Sequence, residues 1–114
     1  MINPQRLVDT FTYLAQIDSP SGEEEAMAIE LTKRLKGLGF EVIRDHYGNL
    51  IASEGGDNPI MLSGHMDTVE PGRNINPIID GDRIVSDGTT IVGGDAKAGI
   101  ASILEALESL KEDR

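Results

Sequence analysis

Apolar residues recur at three- and four-residue intervals in three stretches of this chain. Leu7, Val8, Phe11, Leu14 and Ala15 form the first stripe, the spacing of one helix face. Asn3-Pro4 stands just ahead of it. Asn can cap a helix, and Pro is tolerated at the first helical position. The spacing predicts a helix running to about Gln16. Asp18-Ser19-Pro20 breaks the pattern, and a second stripe follows at Met27, Ala28, Leu31, Leu35 and Leu38. Ser21 and Glu24 ahead of it have the spacing of a capping box. Glu23, Glu24 and Glu25 put negative charge at the positive end of a helix dipole, which accounts for the acidic run without metal or acid–base chemistry. Lys33, Arg34 and Lys36 enrich the last turns, and Gly37 and Gly39 end this helix. The third stripe, Ile100, Ile103, Leu104, Leu107 and Leu110, predicts a helix beginning near Lys97. Ala98, Ala101 and Ala106 allow close packing there, and Glu105, Glu108 and Glu112 mark a solvated face.

Between the second and third helices the pattern changes to short extended runs. Phe40 to Arg44 and Leu50 to Ala52 read as strands, with Gly48-Asn49 as the turn signal of a hairpin between them. His46 falls in that turn and reads as a solvated histidine. Gly55 to Asn58 is a loop leading into a predicted central strand, Pro59 to Ser63. Glu70-Pro71-Gly72 is a turn. Pro77-Ile78-Ile79 and Arg83-Ile84-Val85 flank Asp80-Gly81, a tight hairpin signal. Asp80, Asp82 and Asp87 are spaced loosely like a calcium loop but lack the closing glutamate of that pattern. There is no internal repeat and no low-complexity tract. Helices, hairpins and a central strand make a layered α/β unit.

Composition narrows the picture. The 114 residues suit one domain at most. Hydrophobic residues are 39%, enough to argue against intrinsic disorder. The formal charge is −10, from 20 acidic and 10 basic side chains, which argues against nucleic acid and anionic membrane as partners. There is no cysteine, so disulfides and thiolate zinc sites are excluded, and His and carboxylate remain as possible ligands. The first residues show no signal-peptide pattern, and no apolar run approaches the ~20 residues of a membrane span. A cytoplasmic location is compatible with all of this.

Two polar stretches carry candidate chemistry. The first is Ser63-Gly64-His65-Met66-Asp67-Thr68-Val69, which follows the apolar run Pro59 to Leu62. Residues i and i+2 of an extended segment point the same way, so the Asp67 carboxylate can lie beside the His65 ring and orient it. A carboxylate in that role sets the tautomer of a ligating histidine. From the tripeptide alone two readings stand: a metal ligand, or a hydrogen-bonded structural histidine. The second stretch is Gly93-Gly94-Asp95-Ala96-Lys97-Ala98-Gly99, which opens the third helix. Asp95 could cap the free N–H groups there, but capping does not explain the density of glycine around it. Glycine permits tight bends that could aim one carboxylate.

Together these stretches resemble the zinc-dependent exopeptidase family of peptidase T and carboxypeptidase G2 type (M20-like). The family pattern is His-x-Asp at a strand end, then Gly-x-Asp-x-Lys-x-Gly at a helix start. The run Asp87-Gly88-Thr89-Thr90-Ile91-Val92 into that helix, and Ser19-Pro20-Ser21-Gly22-Glu23-Glu24 near the start, look most like the peptidase T branch. The resemblance covers nearly the whole chain. It implies that His65 ligates one zinc, that Asp95 bridges two, and that Asp67 holds the His65 imidazole as a catalytic residue without binding metal. It also implies a cis Asp95–Ala96 peptide bond. Ala96 departs from the pattern, since the peptidase T branch usually has a second aspartate there.

The implied fold is part of a layered α/β/α catalytic domain with a mixed sheet. The implied activity is removal of the N-terminal residue from short peptides by metal-activated water. The family's general base belongs to a Glu-Glu pair after the last helix seen here, and a further aspartate and a second histidine follow much later. The resemblance therefore implies an N-terminal fragment: residues 1–114 as an incomplete catalytic domain, without a lid or dimerisation domain. Such a fragment is expected to be inactive, to bind zinc weakly, and to self-associate through truncated surfaces. A deacylase or carboxypeptidase of the same family, or a non-catalytic acidic α/β interaction module, are the alternatives.

Overall fold

The computed structural model describes residues 1–113. Its elements in chain order are α1 (Pro4–Ala15), α2 (Glu25–Gly37), β1 (Glu41–Arg44), β2 (Leu50–Ser53), β3 (Ile78–Asp80), β4 (Arg83–Val85) and α3 (Gly94–Glu112). The first helix begins as its sequence predicts. Asn3 caps it by accepting from the Arg6 N–H at 3.1 Å, and Pro4 occupies the first turn. Its buried residues include Phe11, Leu14 and Ala15. The second helix ends in a Schellman arrangement. Gly39, at φ +92°, donates to Lys36 O at 3.0 Å, and Phe40 N donates to Leu35 O at 3.1 Å. Only the left-handed conformation brings both donors back onto the last turn.

Its start differs from the capping box expected. Glu24 makes no cap bond to the helix. Its carboxylate turns back to accept from Gly22 N at 2.6 Å, and Ser21 points elsewhere. The reason is local. A turn from Pro20 to Glu23, closed by Glu23 N donating to Pro20 O at 2.8 Å with Gly22 at φ +87°, carries Ser21 away from the helix.

The strands pair as two antiparallel hairpins. β1 and β2 align Val42 with Ala52 and Ile43 with Ile51. The Asp45 carboxylate closes their turn by accepting from Tyr47 N, Asn49 N and Asn49 Nδ2 at 2.9–3.0 Å. β3 and β4 align Ile79 with Ile84 across Gly81-Asp82. The expected central strand does not form: Pro59–Ser63 has no strand assignment, and Ile60 and Met61 are 88% and 86% exposed. A strand is stable only with a hydrogen-bonding neighbour, and none lies alongside it among the described residues. One isolated parallel bridge, Pro20 with Thr68, lies outside the hairpins. The layered α/β class holds, but among the described residues the expected mixed sheet is reduced to two separate antiparallel hairpins, because no strand lies between them to join them.

The core gathers Phe11, Leu14, Ala15, Met27, Leu31, Ile75, Ile100, Ala101 and Leu104, drawn largely from the three helices. On α3 the expected stripe is narrower than its sequence suggests. Leu110 is 56% exposed and Ala98 is exposed. Glu105, expected in solvent, is instead 3% exposed against α1. Its carboxylate accepts from Arg6 Nε and Nη2 at 2.7 Å each and from Asn3 N at 2.9 Å. No helix among the described residues is long and apolar enough to cross a membrane.

Candidate metal centre

His65 reaches its position without the strand that was expected to carry it. The backbone just beyond is tied down instead: Thr68 N donates to Ser19 O at 2.9 Å, and Thr68 is buried. That tie fixes the end of the loop from Ser63 to Thr68. Within it, His65 Nδ1 lies 2.9 Å from the Asp67 carbonyl oxygen and 3.0 Å from Asp67 Oδ1. The i, i+2 pairing read from the sequence is therefore present.

The second loop enters α3. Gly93, at φ +84°, sits where a Cβ would lie 3.4 Å from both Ile75 Cδ1 and Lys97 Cδ, so crowding as well as the backbone angle favours glycine. Asp95 (φ −97°, ψ 100°) and Ala96 (φ −118°, ψ 30°) are non-helical, and Lys97 N donating to Gly93 O at 3.2 Å opens the helix proper. The Asp95–Ala96 peptide bond is cis, as the resemblance implied. Leaving the helical path aims the Asp95 carboxylate across at the other loop. Its Oδ1 lies 2.9 Å from His65 Nε2, and its side chain is 95% exposed.

One imidazole thus faces acceptors at both nitrogens. Its pKa is raised, first by the Asp95 carboxylate and then by the Asp67 carbonyl. The Asp67 pKa is lowered, first by a hydrogen bond from Ser21 and then by the His65 charge. Nδ1 is held by Asp67, and Nε2 and the Asp95 carboxylate converge on the solvent side. This is the arrangement of a ligating histidine oriented by a carboxylate. The atoms that could hold a metal ion are His65 Nε2 and the Asp95 oxygens. They are half a set, since a closed zinc site takes about four ligands and a catalytic one three plus water. Among the described residues no group of three or more His or acidic side chains gathers to hold a metal. A cleft of about 310 Å³ opens beside the pair, lined also by Val69, Ile91 and Val92.

The remaining polar candidates are not drawn in. His46 stays in the β1–β2 turn, its ring centroid 4.0 Å from that of Tyr47. Asp80 pairs with Arg83 at 3.0 Å, and Asp87 accepts from Thr89. Two residues that the sequence placed only as a helix cap and a helix start, Ser21 and Lys97, lie beside the site. Ser21 Oγ donates to Asp67 Oδ2 at 2.5 Å. Lys97 is fully buried, its Nζ donating to Ile17 O at 2.7 Å and, more weakly, to Ala15 O at 3.4 Å. Burial lowers the Lys97 pKa, and the charge of Asp18 opposes that. A lysine two residues after an aspartate that leaves the helix was the available signal for the second. Gly22 directly after Ser21, turning the chain before the helix starts, was the signal for the first.

The scaffold thus presents an oriented histidine and a convergent aspartate from separate loops. Solved structures share this scaffold. Aminopeptidase PepT from Bacillus cereus ATCC 10987 superposes with a TM-score of 0.92 at 44% identity, over 98% of this chain and 33% of that one. A tripeptidase from Staphylococcus aureus subsp. aureus Mu50 superposes with a TM-score of 0.86 at 41% identity, over 99% of this chain and 34% of that one. Among curated proteins, the uncharacterized protein YqjE of Bacillus subtilis (strain 168) is 37% identical over 99% of this chain and 33% of its own length. No protein-family model matches the sequence. The relatives and structural neighbours that the chain matches are peptidases of the M20 type, peptidase T and a tripeptidase among them. The 114 residues span about a third of the length of these proteins.

Proposed function

We propose that this chain supplies one half of the dizinc centre of an aminopeptidase that removes the N-terminal residue from short peptides, as a peptidase T-like tripeptidase does. The observation that carries the reading is the 2.9 Å approach of His65 Nε2 to Asp95 Oδ1, delivered from loops thirty residues apart. His65 would hold one zinc through Nε2, and Asp95 would bridge it to a second. Asp67 keeps the ring in place from Nδ1. The chemistry that such ions supply is activation of a water and polarisation of a peptide carbonyl. Donor chemistry supports zinc, since imidazole and carboxylate are its ligands where cysteine is absent.

The residues described also define what comes from elsewhere. A general base must reach the water directly. The acids of α3 do not qualify: Glu105 and Glu112 are both hydrogen-bonded to Arg6, and Glu108 lies 3.6 Å from it. The base and the remaining ligands are supplied by chain beyond these residues. Residues 1–114 are then the N-terminal portion of the catalytic domain, acting on peptides in the cytoplasm.

Two measurements test this. Zinc added to the intact protein should support hydrolysis of a tripeptide, and substituting His65 or Asp95 by Ala should abolish it. Preferential hydrolysis of an N-acylated amino acid would instead assign a deacylase. The 114 residues expressed alone should show no peptidase activity and weak zinc binding. They should also self-associate through the groove of about 820 Å³ that Ile60, Met61 and Leu62 share with Ile103 and Leu107 of α3. Light scattering showing only monomer at high concentration would count against self-association.

A further inference from the structure

We infer that Ser21 is a positioning residue of this centre, acting through Asp67 on His65. The inference rests on the metal reading above and adds a residue to it. Three observations on separate parts of the chain carry it.

The first is what Asp67 must do and what holds it there. Its Oδ1 accepts from His65 Nδ1 at 3.0 Å, yet its side chain is 39% exposed. Both oxygens of a carboxylate are equivalent acceptors, so an unanchored Asp67 could rotate away from the ring. Ser21 Oγ donates to the other oxygen, Oδ2, at 2.5 Å. A hydroxyl facing a carboxylate can only donate, and such charge-assisted bonds are short and strong. With Oδ2 pinned, Oδ1 stays on Nδ1.

The second observation is that Ser21 is itself fixed. It occupies the corner of the turn closed by Glu23 N and Pro20 O at 2.8 Å, with Gly22 at φ +87°. On one side Thr68 N donates to Ser19 O. On the other, Glu23 accepts from Arg73 Nη2 at 2.5 Å, while Asp18 Oδ1 accepts from Asn74 N at 2.8 Å. The hydroxyl is presented by a braced loop.

The third is where that loop leads. Its first residue, Ile17, offers the carbonyl that accepts from Lys97 Nζ at 2.7 Å. Lys97 stands two residues after Asp95, at the opening of α3. The stretch from Ile17 to Glu23 therefore touches both ligand loops: the His65 loop through Ser21 and Ser19, and the Asp95 loop through Lys97. It is the strut that sets the distance between the two donors, and Ser21 is its contact with the histidine side.

The test is zinc binding by calorimetry in the intact protein, with no substrate present. Ser21→Ala should weaken zinc about tenfold, the lower end of the range for losing an outer hydrogen-bond partner of a ligand, because Ser21 acts one bond further out through Asp67. Ser21→Thr, which keeps the hydroxyl, should bind within about threefold of wild type. The thermal midpoint of the metal-free protein should be the same in both, because the bond orients a ligand rather than closing a core. Should Ser21→Ala fail to fold, Ser21→Thr against Ser21→Val makes the same comparison, since those two differ in the hydroxyl and not in shape. Zinc binding by Ser21→Ala or Ser21→Val equal to that of Ser21→Thr overturns the inference and leaves the metal reading intact. Wild-type zinc binding by His65→Ala overturns the metal reading itself.

Discussion

The two ends of the α1–α3 pair are fastened by opposite chemistry. At one end Glu105 of α3 is buried against α1. It is bonded to the Arg6 guanidinium and to Asn3 N, with Glu112 on the other side of the same guanidinium. At the other end the buried charge is positive. Lys97 of α3 reaches past the end of α1 to the carbonyls of Ile17 and Ala15. The carboxylate end is far from the site and its partners are all accounted for, so it holds the helices together. The lysine end lies beside Asp95 and at the root of the loop that braces Ser21. The expectation is that one end anchors the pair for stability alone and the other for both stability and geometry, and substitutions at the two ends should separate these roles.

Lys97→Ala should have the largest effect. It removes a fully buried side chain that packs against Gly93 and satisfies Ile17 O, and losses of that kind cost about 2–5 kcal/mol. Lys97→Met keeps the volume but loses the ammonium and its hydrogen bond to Ile17 O, at about 1.5–3 kcal/mol. Both should weaken zinc binding at least tenfold, because the start of α3 sets where Asp95 points. Denaturant unfolding and a zinc titration on the intact protein check the two halves. Lost stability with unchanged zinc affinity would erase the distinction between the ends.

Glu105→Ala comes next. It leaves Asn3 N and part of the Arg6 fork without acceptors, which should cost about 2–3 kcal/mol. Zinc affinity should not change. A fall in affinity would show that the far end also transmits to the site.

This contrast also shows what local sequence can and cannot reveal. Helix stripes, hairpin turns, the Asn3 cap and the pairing of His65 with Asp67 were all legible, because each depends on neighbours a few residues away. The start of the regular helix near Lys97 was legible for the same reason. Glu105 was misread as solvated because its partner Arg6 is 99 residues distant. Its spacing from Glu108 and Glu112 looks like any polar face. Pro59–Ser63 has the composition of a strand, but pairing needs a neighbour that no apolar run announces. Ser21 fitted a capping box by spacing, yet Gly22 turned it toward Asp67 instead. The meeting of His65 with Asp95 came only through the family resemblance, since nothing local links two loops thirty residues apart.

Acid should sharpen the comparison with a smaller effect. Hydrogen bonds from Arg6 hold the Glu105 carboxyl down at about 2, against 4.5 ordinarily. A folded pKa below the unfolded one means stability that is complete above about 4.5 and lost as pH falls toward about 2. Other carboxylates with lowered pKa titrate in the same range, Asp67 and Glu112 among them. The useful readout is therefore a difference. The stability gap between wild type and Glu105→Gln should be constant near neutrality and close progressively below about pH 4.5. A gap unchanged down to about pH 2 would mean that the charge of Glu105 contributes nothing.

The smallest effect belongs to the same end of the pair. The Met1 ammonium approaches Asp113 at 2.9 Å and 3.0 Å, only slightly longer than the 2.7–2.9 Å bonds to Glu105. Distance alone would set the two close together. Exposure separates them, because both partners of this pair stand in solvent while the Glu105 side chain is 2% exposed. In water the attraction is screened, and holding two mobile groups together costs entropy that offsets it. Asp113→Asn should leave the thermal midpoint unchanged within error, and raising the salt concentration should not distinguish it from wild type. A measurable loss would mean that the last turn of α3 depends on its terminal charge. The anchoring of that end would then extend beyond Glu105 and Arg6.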